Sequence, residues 1–259
     1  INNINIIFSL ALSKVNITLP LGISFYTFQT MSYSIDVYKG RIKPEINIIN
    51  FATFVTLFPQ LIAGPIVKYT DIQNEIKARN IEKDKVQEGI EKFILGLGRK
   101  VLIANNIGML WSEVENTGFN NISTPFAYVG ILAFSLQIYF DFSGYSLMAR
   151  GLGQILGFNF PRNFNYPYAS RSISEFWRRW HITLGSWFKE YVYIPLGGNR
   201  NGKFRTIINL FVVWALTGLW HGASFNFIIW GLLFFSLICI EKLGLIRVLN
   251  KYKVFSHIY

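Results

Sequence analysis

Charge is scarce in this chain: only 15% of its 259 residues are Asp, Glu, Lys or Arg, against 51% hydrophobic and 17% aromatic. With a positive mean hydropathy as well, that balance excludes an ordinary soluble domain and makes the chain a membrane protein. Thiols are scarcer still. The one cysteine, Cys239, sits in an apolar run, so neither an intrachain disulfide nor a multi-thiolate metal site can form, and a small buried hydrophobe is expected there. No Gly-x-Ser-x-Gly turn, Walker-type glycine loop or His-Glu-x-x-His pair occurs, which removes the usual support for hydrolase, nucleotide-driven and zinc-peptidase readings. There is no internal repeat and no low-complexity tract, and no secretory signal with a basic start and small-residue cleavage site is visible in these residues. Because the chain starts at Ile1 and stops soon after a hydrophobic span, it is expected to be an internal piece of a larger protein. That piece is one multi-span domain over residues 1–259, with N-terminal spans and a C-terminal end missing.

What charge there is has one dominant sign, a net +11. In a soluble protein this would raise nucleic acid as a partner. Here the bases cluster between apolar runs, which fits cytoplasmic loops facing anionic membrane lipid, and no nucleic-acid partner is expected. The longest uncharged run is Thr206 to Ile240, thirty-five residues interrupted by His221. At about 1.5 Å per residue against a hydrocarbon core of about 30 Å, it is too long for one crossing. Gly218 and Gly222 bracket the histidine, so a break, kink or tight hairpin is expected beside it.

Earlier runs are broken too. Val15 to Ile35 contains Pro20 and Gly22, and Ile46 to Val67 contains Pro59, Gly64 and Pro65, so neither reads as a straight helix. Lys68 to Lys100 is the most hydrophilic stretch. Within it Val86, Ile90, Phe93, Ile94 and Leu97 recur at helical spacing, the pattern of an amphipathic helix leading into a span that ends near Trp111. Glu113 and Glu115 are expected in an external loop, followed by a span over Thr124 to Met148 that carries Asp141 among aromatics. An intramembrane carboxylate of this kind has two readings, a structural network and a direct role. Arg150 to Arg205, with nine bases against two acids, is the strongest cytoplasmic segment. Ser172 and Glu175 have capping-box spacing, and Trp177, His181, Leu184 and Phe188 share one face of the interfacial helix expected to follow and to end at PLGGN.

Three histidines carry the candidate chemistry. His257 lies in a basic tail and is expected to be solvent-exposed. His221 reads equally as structural or catalytic from spacing alone. Burial would keep its imidazole neutral and able to accept a proton from a hydroxyl, with Trp214 and Trp220 keeping the surroundings dry. His181 follows Arg178 and Arg179 and can orient a substrate or His221.

The run SISEFWRRWHITLGSWFKEYVYIPLGGNR, followed by LTGLWHGASFNFIIWG, resembles the membrane-bound O-acyltransferase family, in its branch that acetylates bacterial polysaccharides such as alginate. FYTFQTMSYSIDVYKG, FPQLIAGPIVKY and QIYFDFSGYSLMARGLGQILGFNFPRNFNYPY look like further blocks, so the resemblance covers roughly Leu19 to Ile246. It implies an all-α, polytopic integral membrane protein of the bacterial cell membrane, with re-entrant or interfacial helices around a thinned centre. It implies His221 as the invariant histidine and His181 as a second functional residue. Trp180, Trp220, Asn226, Arg178, Arg179 and Asp141 are the candidate substrate-binding residues, with Arg200 a further base for steering a donor's phosphates. The implied donor is acetyl-CoA or another acyl thioester, with no resident cofactor or metal. The implied acceptor is a polysaccharide or a periplasmic acetyltransferase partner. D-alanyl transfer to teichoic acid, a transporter or flippase, and a non-catalytic scaffold are the competing readings.

Overall fold

Small residues, not large ones, make the tightest contacts in this chain. The computed structural model describes residues 22–62, 64–252 and 256–257, so the start of the first broken run, Pro20 included, lies outside the described residues. Among the described residues every regular element is helical. Contacts divide the chain into two units, residues 25–163 and residues 164–259 with the first 24.

In the first of these, α1 (Ile23–Tyr38), α2 (Ile48–Thr56), α3 (Phe58–Leu61) and α4 (Tyr69–Lys77) precede a helical pair. The expected break in the second apolar run occurs between α2 and α3, where Pro59 takes the first turn that tolerates it. The freed backbone is satisfied by protein: buried Gln60 donates from Nε2 to the Phe54 carbonyl at 2.8 Å. Phe54, Val67, Tyr69, Ile72, Phe158 and Phe160 form the core around it. The Tyr69 hydroxyl donates to Glu45, whose carboxyl is held below its usual range chiefly by that bond.

The pair consists of a 35-residue helix over Lys83–Thr117 and α7 (Thr124–Ile155), the two described helices long and apolar enough to cross a membrane. The first is α5 (Lys83–Gly98), a π-helical turn (Arg99–Ala104) and α6 (Asn105–Thr117). Glu113 and Glu115 therefore lie on a helix and not in the expected loop, because the chain stays helical until Gly118 adopts φ +82°. The large apolar stripe of α5 is not its packed face. Ile90, Ile94 and Leu97 are 46%, 61% and 41% exposed, while Gly89 and Gly96 are buried against α7. On α7 the buried residues are Gly130, Ala133, Ser143, Gly144, Ser146, Ala149, Gly151 and Gly153, with Ile131, Leu132, Leu136 and Ile138 outside. Large apolar residues outside and small ones between the helices is the arrangement hydrocarbon favours, since lipid is as apolar as leucine and close backbone approach drives association.

The approach is reciprocal. A Cβ on Gly151 would lie 2.5 Å from the Gly89 carbonyl oxygen, and one on Gly96 would lie 2.6 Å from that of Gly144. Asp141 of α7 pairs with Lys100 of the π turn across the same interface. A Gly151→Ala substitution is expected to cost about 1–3 kcal/mol through overpacking. Gly98→Ala, where a Cβ meets open space, is expected to gain about 0.5–1 kcal/mol of helix propensity. Thermal unfolding of the two full-length variants in detergent measures the contrast, and equal melting temperatures would show that this contact does not hold the pair together.

Candidate active site

The 164–259 unit brings both histidines of interest together. Its elements are a 3-10 turn (Pro167–Ala169), α8 (Ile173–Arg179), α9 (Ile182–Phe188), a π turn (Lys189–Tyr193), α10 (Gly202–His221), α11 (Phe225–Ile240), a π turn (Glu241–Leu245) and α12 (Ile246–Lys251).

The over-long apolar run is a hairpin. α10 ends on His221, Gly222 takes φ +157°, and α11 starts at Phe225. The two helices close where a Cβ on Gly218 would lie 2.6 Å from the Phe227 carbonyl oxygen and one on Gly231 would lie 2.5 Å from that of Trp214. His221 thus stands at the hairpin tip. It is exposed rather than buried as expected, because a residue ending one helix at a turn has neighbours on only part of its surface. Its ring contacts are Trp220 and Trp230, both at 4.7 Å, and Phe227 at 6.1 Å.

α8 starts where the capping spacing places it, with Ser172 Oγ accepting from the Glu175 amide at 3.0 Å. The Glu175 carboxylate takes the Arg171 amide at 2.9 Å, and this bond, helped by Arg179, holds its pKa below the usual value. The continuous helix expected through His181 is not formed. Trp180 turns extended and His181 adopts φ +43°, ψ +53°, so Trp177 and Leu184 sit on two short helices rather than on one face. A non-glycine residue held left-handed costs about 1–3 kcal/mol, although histidine enters that region more readily than branched residues do. Packing holds it there: Trp180 contacts Phe164 at 5.1 Å and Phe176 at 5.6 Å, and the buried His181 ring lies 6.1 Å from Trp220. Trp220 therefore touches both histidines. Burial, and secondarily the nearness of His221, pushes the His181 pKa well down, so this imidazole is neutral at physiological pH.

His181 lines a cavity of about 450 Å³ with Trp177, Trp180, Leu184, Trp214 and Thr217. Among the described residues, Arg178, Lys189 and Lys242 are the charged residues of its wall, with no carboxylate among them. Of the other expected residues, Arg179 is committed to Glu175 at 2.6 Å, Asn226 is exposed on the first turn of α11, and Arg200 lies in the exposed turn before α10. Asp141 belongs to the 25–163 unit and is paired with Lys100.

Sequence reasoning gave no site role to two residues, Trp177, which it placed only on a helical face, and Glu241. Trp177 is the centre of an aromatic cluster, 4.9 Å from Trp214, 5.6 Å from Trp230 and 4.9 Å from Phe234. Glu241, 1% exposed at the end of α11, accepts the amides of Ile173 at 2.5 Å and Ser174 at 3.0 Å, and so fastens α8 to the hairpin. The available signal was an acid directly abutting the long uncharged run.

A helical membrane chain with an aromatic-walled histidine cavity defines the class, and comparison supplies the family. Residues 41–253 match MBOAT, the membrane-bound O-acyltransferase family, to which the chain belongs. It is 50% identical over 216 residues to a protein named probable alginate O-acetylase in Pseudomonas aeruginosa, covering 83% of this chain and 41% of that protein. It is 38% identical to a peptidoglycan O-acetyltransferase of Helicobacter pylori (90% and 49% covered) and 31% identical to a teichoic acid D-alanyltransferase of Bacillus subtilis (82% and 56%). The chain spans about half the length of these relatives.

Glu241→Ala leaves two part-buried amides without acceptors and is expected to cost about 1–3 kcal/mol, read as a lowered midpoint of unfolding. For His181 the sign follows from its depressed pKa. The unfolded chain binds the extra proton, so the stability contribution is complete above about pH 6.5 and is lost on acidification, by up to about 1.4 kcal/mol per pH unit. His181→Asn, which keeps a residue tolerant of the left-handed backbone, should flatten the fall in melting temperature between pH 7 and pH 5. An unchanged slope would remove His181 as its source.

Proposed function

We propose that this chain is the catalytic part of a polytopic O-acyltransferase of the bacterial cell membrane, one multi-span domain that moves an acetyl group from a cytoplasmic thioester to hydroxyls of an extracytoplasmic polysaccharide. The observation that carries this reading is the cavity walled by tryptophans and His181, edged by Arg178, Lys189 and Lys242, and joined through Trp220 to His221. A thioester donor such as acetyl-CoA is apolar at its reacting end and anionic at its phosphates, which suits that wall. The carbonyl then lies toward the histidines and the phosphates toward the cations. No resident cofactor or metal takes part in the steps below.

His221 is the general base. Its imidazole takes the acceptor hydroxyl proton, the alkoxide oxygen attacks the thioester carbonyl, and the tetrahedral intermediate expels the thiolate, which receives the proton back from the imidazolium. The products are the ester and the free thiol. The Asn226 side chain and the amides of Phe225 and Asn226 at the start of α11 are assigned to the oxyanion. His181, neutral and fixed by packing, orients donor and base. Acetyl transfer to a polysaccharide, directly or through a periplasmic partner, is favoured over D-alanyl transfer because identity is 50% to the probable alginate O-acetylase and 31% to the D-alanyltransferase.

His221→Ala in the full-length protein, verified as present in the membrane, is expected to slow polymer acetylation by about 100- to 10,000-fold. Normal acetyl content in that strain would eliminate the enzymatic reading and leave a transporter or scaffold. A labelled donor supplied without acceptor separates the two routes, since a stable adduct on His221 would replace direct transfer by an acyl-histidine relay.

A further inference from the structure

A second cavity lies in the 25–163 unit, independent of the acyltransfer reading. It measures about 290 Å³ and is lined by Lys85, Glu88, Lys92, Arg150, Gln154 and residues 158–160. It opens where the start of α5 meets the end of α7, beyond the Gly89–Gly151 contact. Part of its polar wall is satisfied internally: Lys92 pairs with Glu88 at 3.2 Å and donates to Gln154 at 2.5 Å, and Gln154 donates to Glu88 at 2.9 Å.

Arg150 is different. Among the described residues its hydrogen bond runs from Nε to the Phe160 carbonyl at 3.3 Å, which leaves both terminal guanidinium nitrogens available. Arg162 is close enough to repel it, and Glu88, the one carboxylate in the wall among the described residues, already serves Lys92 and Gln154. Lys85 adds a third cation, whose ion pair is with Glu82 outside the wall. A half-buried guanidinium beside another cation is costly unless a counter-charge enters. The planar guanidinium fork matches the paired oxygens of a phosphate. The end of α7 opens the basic Arg150–Arg205 segment that the positive-inside rule places at the cytoplasmic face, the level of anionic headgroups, and the start of α5 packs beside it.

We propose that this pocket binds a phosphate ester, supplied by the headgroup of an anionic phospholipid, with Arg150 as the fork and Lys85 and Lys92 as flanking charges. The test uses the full-length protein in nanodiscs of phosphatidylcholine doped with phosphatidylglycerol, with retained lipid counted by native mass spectrometry. Arg150→Gln is expected to lower phosphatidylglycerol retention about fivefold, with Arg150→Lys intermediate. Lys83→Gln, at the same helix end but outside the cavity wall, should leave it unchanged. Size-exclusion profiles matching the unmodified protein establish that each variant is folded. Equal retention in the unmodified protein and the folded Arg150→Gln variant would overturn the site, as would an equal loss from Lys83→Gln. Displacement of the lipid by millimolar glycerol 3-phosphate would reassign the pocket to a soluble phosphate ester and overturn its lipid source.

Discussion

The site depends on the closure of the α10–α11 hairpin, where Gly218 and Gly231 let two backbones meet with nothing between them. An α-carbon that carries no side chain is the only one that fits against a carbonyl oxygen at that distance. Once the hairpin is closed there, His221 and Gly222 form its tip, and Trp214 and Trp230 face one another across its length.

The histidine-bearing segment is fastened to this hairpin by a charge. Glu241 is buried where the uncharged run ends, and its carboxylate takes the first two amides of α8. A carboxylate at a helix N-terminus satisfies donors that have no partner within the helix, and the partial positive charge there favours it. α8 is thereby held against the hairpin, Trp177 fills the space between them, and the left-handed turn at His181 is tolerated because aromatic packing on both sides permits no alternative. The outcome is two imidazoles, one buried and one at an exposed tip, sharing a contact with Trp220.

The long helical pair of the 25–163 unit follows one rule of association in hydrocarbon. α7 meets α5 and α6 through small residues, and their isoleucines and leucines lie outside. Among the charged residues on these helices, Lys100 and Asp141 pair with each other across the interface, and Arg150 opens onto the polar cavity at one end.

The membrane class, the start of α8 at Ser172, the break at Pro59 and the interruption beside His221 were all legible in the sequence, because composition, capping spacing and glycine or proline placement act over a few residues. The family was legible in the ordered WRRWHITL and LWHGASF blocks. Tertiary structure alone decided that the interruption is a hairpin tip, that the stripe of Ile90, Ile94 and Leu97 faces outward, and that the helix through His181 breaks. It also selected Arg178, Lys189 and Lys242 for the cavity while committing Arg179 to Glu175. Local pattern states which residues can share a face. Which face is buried is set by the fit of glycines to carbonyls and of Glu241 to α8, contacts between segments that no short-range spacing encodes.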